Sequence, residues 1–262
     1  MKKSILLASA ALAALSFTSC NNEVDMFEPI GSEKATINLS ITNDDAMLTR
    51  ATQDAVLADW WIKVGDYNWV AGDKVKDESY PTNTYAIKVG NYKSLSDAMP
   101  DGNAGNAYYS AEKNVVLATG SNDVSFTCGT AKNAMLSVDW SAAESNVDID
   151  GFSVEVKQYN DPTITEPDES KLLRTYTYAS SGSAYFYAEQ KAFCTINYSY
   201  KNSPKTAIVK VLPALDAAKE YKFKINANTN GTVTTLTITY DDKFVDGGTT
   251  TTIIDAATGN EE

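Results

Sequence analysis

Apolar and polar residues alternate with a period of two along most of the chain. Ile37, Leu39 and Ile41 share one side of their segment; so do Tyr85, Ile87 and Val89, then Val124, Phe126 and Cys128, then Ala134, Leu136, Val138 and Trp140. Successive side chains of a strand point to opposite faces, so each run predicts a strand with one face in a core and the other in water. Phe152, Val154 and Val156 and the segments 173–178, 185–187, 193–200 and 208–212 continue the pattern. Near the end Tyr221, Phe223, Ile225 and Ala227 alternate up to Asn230-Gly231, and 232–240 returns. Asn-Gly between two such runs predicts a hairpin closed by a type I′ turn, whose two central residues need positive φ. Only 94–99 and 213–219 suit short helical turns. Strands at this spacing predict an all-β chain of antiparallel sandwiches. A length of 262 residues accommodates two of them in tandem, joined near 129–133.

The N-terminus departs from the pattern. Lys2 and Lys3 precede an apolar run from Ile5 to Leu15, interrupted only by Ser9, too short to cross a hydrocarbon layer of roughly 30 Å as a helix. A basic start and a short apolar run read as a secretion signal. Ser16-Phe17-Thr18-Ser19-Cys20 follows and resembles the lipobox of bacterial lipoproteins, which implies that Cys20 is acylated and becomes the first residue. The expected organisation is a signal at 1–19, an acidic tether at 20–34 carrying Glu23, Asp25 and Glu28, a first sandwich at 35–130, a second at 131–245 and a polar tail at 246–262. The membrane would then be a partner through lipid alone.

Composition removes several classes of function. Lys+Arg 22 against Asp+Glu 34 gives a net charge of −12, and no histidine is present. The chain has no positive field for a phosphate backbone, so nucleic acid is not a partner. Without histidine, Ser-His-Asp and Cys-His catalysis and histidine-ligated zinc are excluded. No metal, cofactor or catalytic residue is assigned. The loops 161–170 and 241–248 are acidic but lack the spacing of a calcium loop. Ser110 and Lys113 have Ser-x-x-Lys spacing, but that motif needs a helical turn, and the segment leads into a Val-rich strand. Cys128 reads as a small core residue, with a disulfide to Cys194 as the alternative.

Two contact chemistries remain. Trp60, Trp61 and Trp69 fall within ten residues of one another, and exposed rings of this kind stack on sugars. The alternation of Trp60, Ile62 and Val64 against Trp61 and Lys63 instead puts one ring in the core and another at a rim. Tyrosine is abundant, with pairs at 176/178, 185/187 and 198/200; such pairs share a sheet face and suit either packing between sheets or protein contact.

The lipobox ending at Cys20, the single strand at 35–42, the stretch Leu48-Thr49-Arg50-Ala51, Tyr108-Tyr109-Ser110 ahead of a Val-rich strand, and Thr237-Ile238-Thr239-Tyr240-Asp241-Asp242 near the end together resemble the fimbrillin-like and cell-adhesion surface lipoproteins of Gram-negative gut anaerobes. That resemblance implies two transthyretin-like β-sandwiches, export to the outer membrane surface facing the exterior, and a role in cell adhesion or as a fimbrial subunit. It also implies a cut after Arg50, before Ala51, that frees the strand bearing Ile37, Leu39 and Ile41 for exchange between subunits. Partners would be further copies, other pilus subunits, or a host protein or glycan. The rival reading is a glycan-binding surface lipoprotein of a polysaccharide-uptake system, using Trp60, Trp61 and Trp69.

Overall fold

The computed structural model describes residues 33–44, 52–54, 56–206, 209–242 and 250–260, and residues 33–262 form one compact unit. The strands of the first half are β1 (Lys34–Asp44), β2 (Thr52–Asp54), β3 (Trp61–Val64), β4 (Val70–Ala71), β5 (Tyr80–Pro81), β6 (Asn83–Gly90), β7 (Ser110–Leu117) and β8 (Gly120–Cys128). Ala35 and Thr42 of β1 each pair with β8 and also with β5 or β2, so β8 flanks one side of β1 and the two short strands flank the other. The facing sheet runs β4-β3-β6-β7. Alternation assigns the faces: Ile37, Leu39 and Ile41 of β1 and Val124, Phe126 and Cys128 of β8 meet Ile62, Val64, Ile87 and Val89 in one core.

The second half supplies β9 (Asn133–Asp139), β10 (Ile149–Tyr159), β11 (Leu172–Tyr178), β12 (Gly182–Tyr187), β13 (Ala192–Tyr200), β14 (Ser203–Thr206), β15 (Lys210–Leu212), β16 (Glu220–Asn230), β17 (Val233–Asp242) and β18 (Thr250–Asp255). One sheet runs β12-β9-β16-β17-β18; the other runs β11-β10-β13, with β14 and β15 on the far side of β13. Leu136, Val138, Phe186, Phe223, Ile225 and Leu236 of the first sheet pack on Val154, Val156, Cys194 and Ile196 of the second. Trp140 closes one end of this core, stacked on Phe152 at 6.1 Å, and its ring N–H donates to Glu144 Oε1 at 2.7 Å.

The all-β sandwich architecture stands, with four departures from the expected detail. Among the described residues each sandwich holds one parallel pair: β1 beside β8, and β9 beside β16. Period-two alternation specifies which face is buried and carries no information about strand direction. The final hairpin turns one residue later than expected, since Asn230 pairs with Val233. Gly231 alone has positive φ there, at 65°, which is the type II′ pattern. A type I′ pattern occurs instead between Tyr200 and Ser203, where Lys201 and Asn202 both have positive φ. Residues 213–219 contain a turn but no helix, whereas α1 (Leu95–Ala98) forms with Ser94 accepting from the Asp97 N–H as its N-cap. Finally, Thr250–Asp255 in the expected tail is the edge strand β18, and Ile254 is fully buried.

A Cβ added at Gly231 meets nothing within 4 Å, so substitution there tests backbone strain without a clash. Gly231→Val should lower stability by roughly 1–3 kcal/mol, because a β-branched residue is forced to positive φ. Gly231→Asn should cost less, since Asn tolerates that region. Equal melting temperatures for the wild type and the Val variant would refute the turn assignment.

Candidate functional site

The first strand is held in an unusual way. Its inward side chains are almost completely buried, with Ile37 at 1%, Leu39 at 7% and Ile41 at 2% exposure. On its outer face the Asn38 carboxamide donates to Asp123 Oδ1 at 2.8 Å. Nine consecutive pairs tie β1 to β8, all in the parallel sense, the less stable sense per residue. On the other side strand pairing is, among the described residues, confined to the two ends, at 34–35 with β5 and at 42–44 with β2. A 3₁₀ turn at 75–77 packs against the strand and puts Val75 into the core. β1 therefore fills a row of apolar pockets while sharing few backbone bonds with the rest of its own sheet. Arg50, Ala51 and Cys20 lie outside the described residues.

The two sandwiches meet through residues 91–109, the connection from β6 to β7 that includes α1. Ala98, Met99 and Tyr108 form a small core there with Tyr185 and Tyr187 of β12. Asn133, at the start of β9, is fully buried; its Oδ1 accepts from the Tyr108 N–H at 3.0 Å and its Nδ2 donates to the Asn106 carbonyl at 2.8 Å. The Ala104 carbonyl accepts from the Tyr185 N–H at 2.7 Å, which covers part of the open edge of β12. The centre of the contact is Arg174 on β11, 1% exposed. Its Nη1 donates to the carbonyls of Met99 at 2.8 Å and Pro100 at 3.1 Å, and its Nη2 donates to that of Asn103. The rings of Phe186 and Tyr176 flank the guanidinium, at 5.5 and 5.9 Å. Burial pushes the Arg174 pKa down from its ordinary value, while Tyr187, Asp101 and other groups nearby act the opposite way; an arginine nonetheless stays charged near neutral pH. Sequence reasoning passed over this residue. Its signal is a charge at the inward position of an alternating strand, on the same face as Tyr176 and Tyr178.

The aromatic residues divide between core and rim. Trp60, offered above as a sugar contact, is 5% exposed in the first core with Ile62 and Val64, and so it cannot present a ring face to a ligand. Trp61 is half-buried beneath the Lys93 ammonium, 4.0 Å from the ring centre, and Trp69 is half-buried just before β4. The three do not make a flat platform. Most of the paired tyrosines serve packing: Tyr178 donates to the Leu136 carbonyl at 2.6 Å and Tyr198 to that of Ala256 at 2.9 Å, each bridging the two sheets of the second sandwich.

Cys128 and Cys194 are free, one in each core. Burial pushes the Cys128 thiol up to about 11, and complete burial raises that of Cys194 further, so both are unreactive as thiolates at neutral pH. Ser110 and Lys113 lie on β7, where residues three apart point to opposite faces. Lys113 instead reaches the Ser125 carbonyl on β8 and sits 4.8 Å over the Phe126 ring. In the acidic loop after β10 the Lys171 ammonium lies 2.8 Å from Asp161 and 3.9 Å from Asp168. Asp161 also accepts from the Thr163 hydroxyl and N–H, and these partners hold its carboxyl below the usual range.

No family model and no curated protein matches the chain. Among solved structures it is similar to a candidate cell adhesion protein of Bacteroides fragilis, at 12% identity and a TM-score of 0.41, over 80% of this chain and 99% of that one. It is similar to a fimbrial assembly protein of Parabacteroides distasonis, at 11% identity and a TM-score of 0.42, over 81% of this chain and 97% of the other. A candidate cell adhesion protein of Bacteroides eggerthii matches at 10% identity with a TM-score of 0.42, over 86% and 96% of the two chains.

Proposed function

We propose that this protein is anchored by lipid at Cys20 to the outer membrane, faces the exterior, and works by contact, as an adhesin or a fimbrial subunit whose first strand can be replaced by a segment of another copy. The observation that carries this reading is the setting of β1: its apolar side chains fill the first core, while its backbone is paired mainly with one neighbour, in parallel. A strand so placed leaves a groove with empty pockets and unpaired backbone groups when it departs, and an extended segment of another subunit fits such a groove by β-strand addition. A cut after Arg50 would sever β1 from β2 in the chain and leave it held by non-covalent contacts alone. The tryptophan-based glycan reading loses support with the burial of Trp60.

Anchoring is tested separately from assembly. A single acyl chain gives marginal, reversible membrane binding, and several give stable attachment. Cys20→Ala should therefore move the protein from the membrane fraction to the soluble fraction, and added protease should reach the wild-type protein on intact cells. A Cys20→Ala variant that stays in the membrane fraction, or a wild type that intact cells shield from protease, would contradict the proposal.

A further inference from the structure

An aromatic groove lies at one end of the first sandwich, where β3 turns away from β6. Gly65 has φ of 51°, and Tyr67 N–H bonds the Val64 carbonyl at 3.0 Å to close the turn. A Cβ at Gly65 would stand 3.0 Å from Cδ1 of Tyr85. The glycine thus serves two purposes: it supplies the positive φ, and it leaves room for the edge of the Tyr85 ring. Tyr67 then packs edge-on to Tyr80 at 5.1 Å and to Tyr85 at 6.1 Å. Tyr80, 3% exposed, is the floor of this cluster, while Tyr67 remains 42% exposed. The Tyr85 hydroxyl donates to the Pro81 carbonyl at 3.0 Å. Burial, followed by a hydrogen bond shared with Tyr67, holds the Tyr85 phenol above its ordinary pKa.

The groove over these rings has a volume of about 670 Å³ and is lined by Gly65, Asp66, Tyr67, Asn83, Thr84 and Tyr85 together with Ala86. Its polar groups are of complementary kinds. Asp66 is an exposed carboxylate, and the Asn83 carbonyl oxygen is engaged by the Thr84 N–H at 2.8 Å. That bond orients the Asn83 carboxamide, whose nitrogen is a donor. Rings held against one another beside an exposed carboxylate and an oriented amide suit a pyranose, whose C–H faces stack on aromatic rings and whose hydroxyls both donate and accept. The only charge among the lining residues is negative, which disfavours uronic and sialic acids.

We propose that this groove is a saccharide site for a neutral sugar, with the exposed Tyr67 ring as the stacking face, Tyr85 as a wall at 66° to it, and Asp66 and Asn83 as hydrogen-bonding groups. It would give a contact protein a ligand class, and it depends on neither lipid anchoring nor strand exchange. The test uses purified full-length protein on immobilised oligosaccharides ending in galactose, mannose or N-acetylglucosamine. A sialylated oligosaccharide and a trimethyl-lysine peptide serve as charged alternatives. Binding to at least one neutral glycan is expected, with at least a tenfold loss in Tyr67→Ala, a several-fold loss in Asp66→Asn and retention in Tyr67→Phe. Tyr67→Phe keeps the ring and so separates stacking from the hydroxyl's contacts, while Asp66→Asn, at an exposed side chain, reads binding apart from folding. The proposal is overturned if no neutral glycan binds, if Tyr67→Ala binds as well as the wild type, or if either charged probe is preferred.

Discussion

Replacing Arg174 with methionine should destabilise the protein by roughly 2–4 kcal/mol. The side chain keeps an apolar stem, while the guanidinium that lay over the Phe186 and Tyr176 rings is removed. What is lost is the donor set for the carbonyls of Met99, Pro100 and Asn103. The Pro100 carbonyl keeps the Asn103 N–H as a donor; a buried acceptor deprived of its donor, as at Met99, costs about 1–3 kcal/mol, and relief from burying a charge offsets part of the total. Arg174→Lys should not restore stability, because one ammonium on a flexible stem cannot reproduce a planar fork that reaches three carbonyls. The loss should also be local at first. Residues 95–103 should become sensitive to protease before either sandwich unfolds, since the bonds from Asn133 and Tyr185 hold only the stretch 104–108. Chemical denaturation of wild type, Arg174→Met and Arg174→Lys, with limited proteolysis alongside, measures both effects. Full stability in Arg174→Met would mean that the guanidinium does not hold the two sandwiches together.

Removing β1 should have the largest effect of all. Ile37, Leu39 and Ile41 are each nearly fully buried, and burying one such side chain is worth about 1.5–3 kcal/mol, so the three together are worth roughly 5–9 kcal/mol to the first sandwich. That is comparable to the whole stability of a typical domain. A chain beginning at Ala51 should expose Val124, Phe126 and Cys128 of β8, bind a hydrophobic dye, and lose cooperative unfolding of the first core. The second core contains no residue of β1 and should unfold as before. A synthetic peptide spanning 33–44 should restore the lost transition. If the shortened chain unfolds like the intact one and ignores the peptide, β1 is not the strand that completes the first sandwich.

The burial of those side chains was legible because alternation alone decides which face of a strand is wet. The same rule marked Val124, Phe126 and Cys128, the core of the second half and the inward position of Trp60. It could not say that β1 runs parallel to β8, since strand direction leaves no trace in a period of two. Nor could it place the last turn: Asn230-Gly231 has the composition of one turn type, while cross-strand packing sets Asn230 opposite Val233. Arg174 was missed for a different reason. A single charge in an apolar alternation looks like an outward residue until its partners appear, and those partners are backbone carbonyls about 70 residues earlier. Backbone acceptors cannot be read from side-chain identity. The edge strand β18 was hidden likewise, because Thr250, Thr251 and Thr252 read as polar although threonine favours strands.

Replacement of β1 by a strand of another copy is the central claim, and the size of the assembled species before and after arginine-specific cleavage tests it most directly. Wild-type protein and Arg50→Ala are each treated with an arginine-specific protease, and the products are resolved by size under non-denaturing conditions. Intact protein should be monomeric, because its own strand occupies the groove. Cut wild type should form a ladder of larger species that excess 33–44 peptide suppresses, and Arg50→Ala should stay monomeric. A cut wild type that remains monomeric, or an Arg50→Ala variant that assembles equally well, would contradict the account.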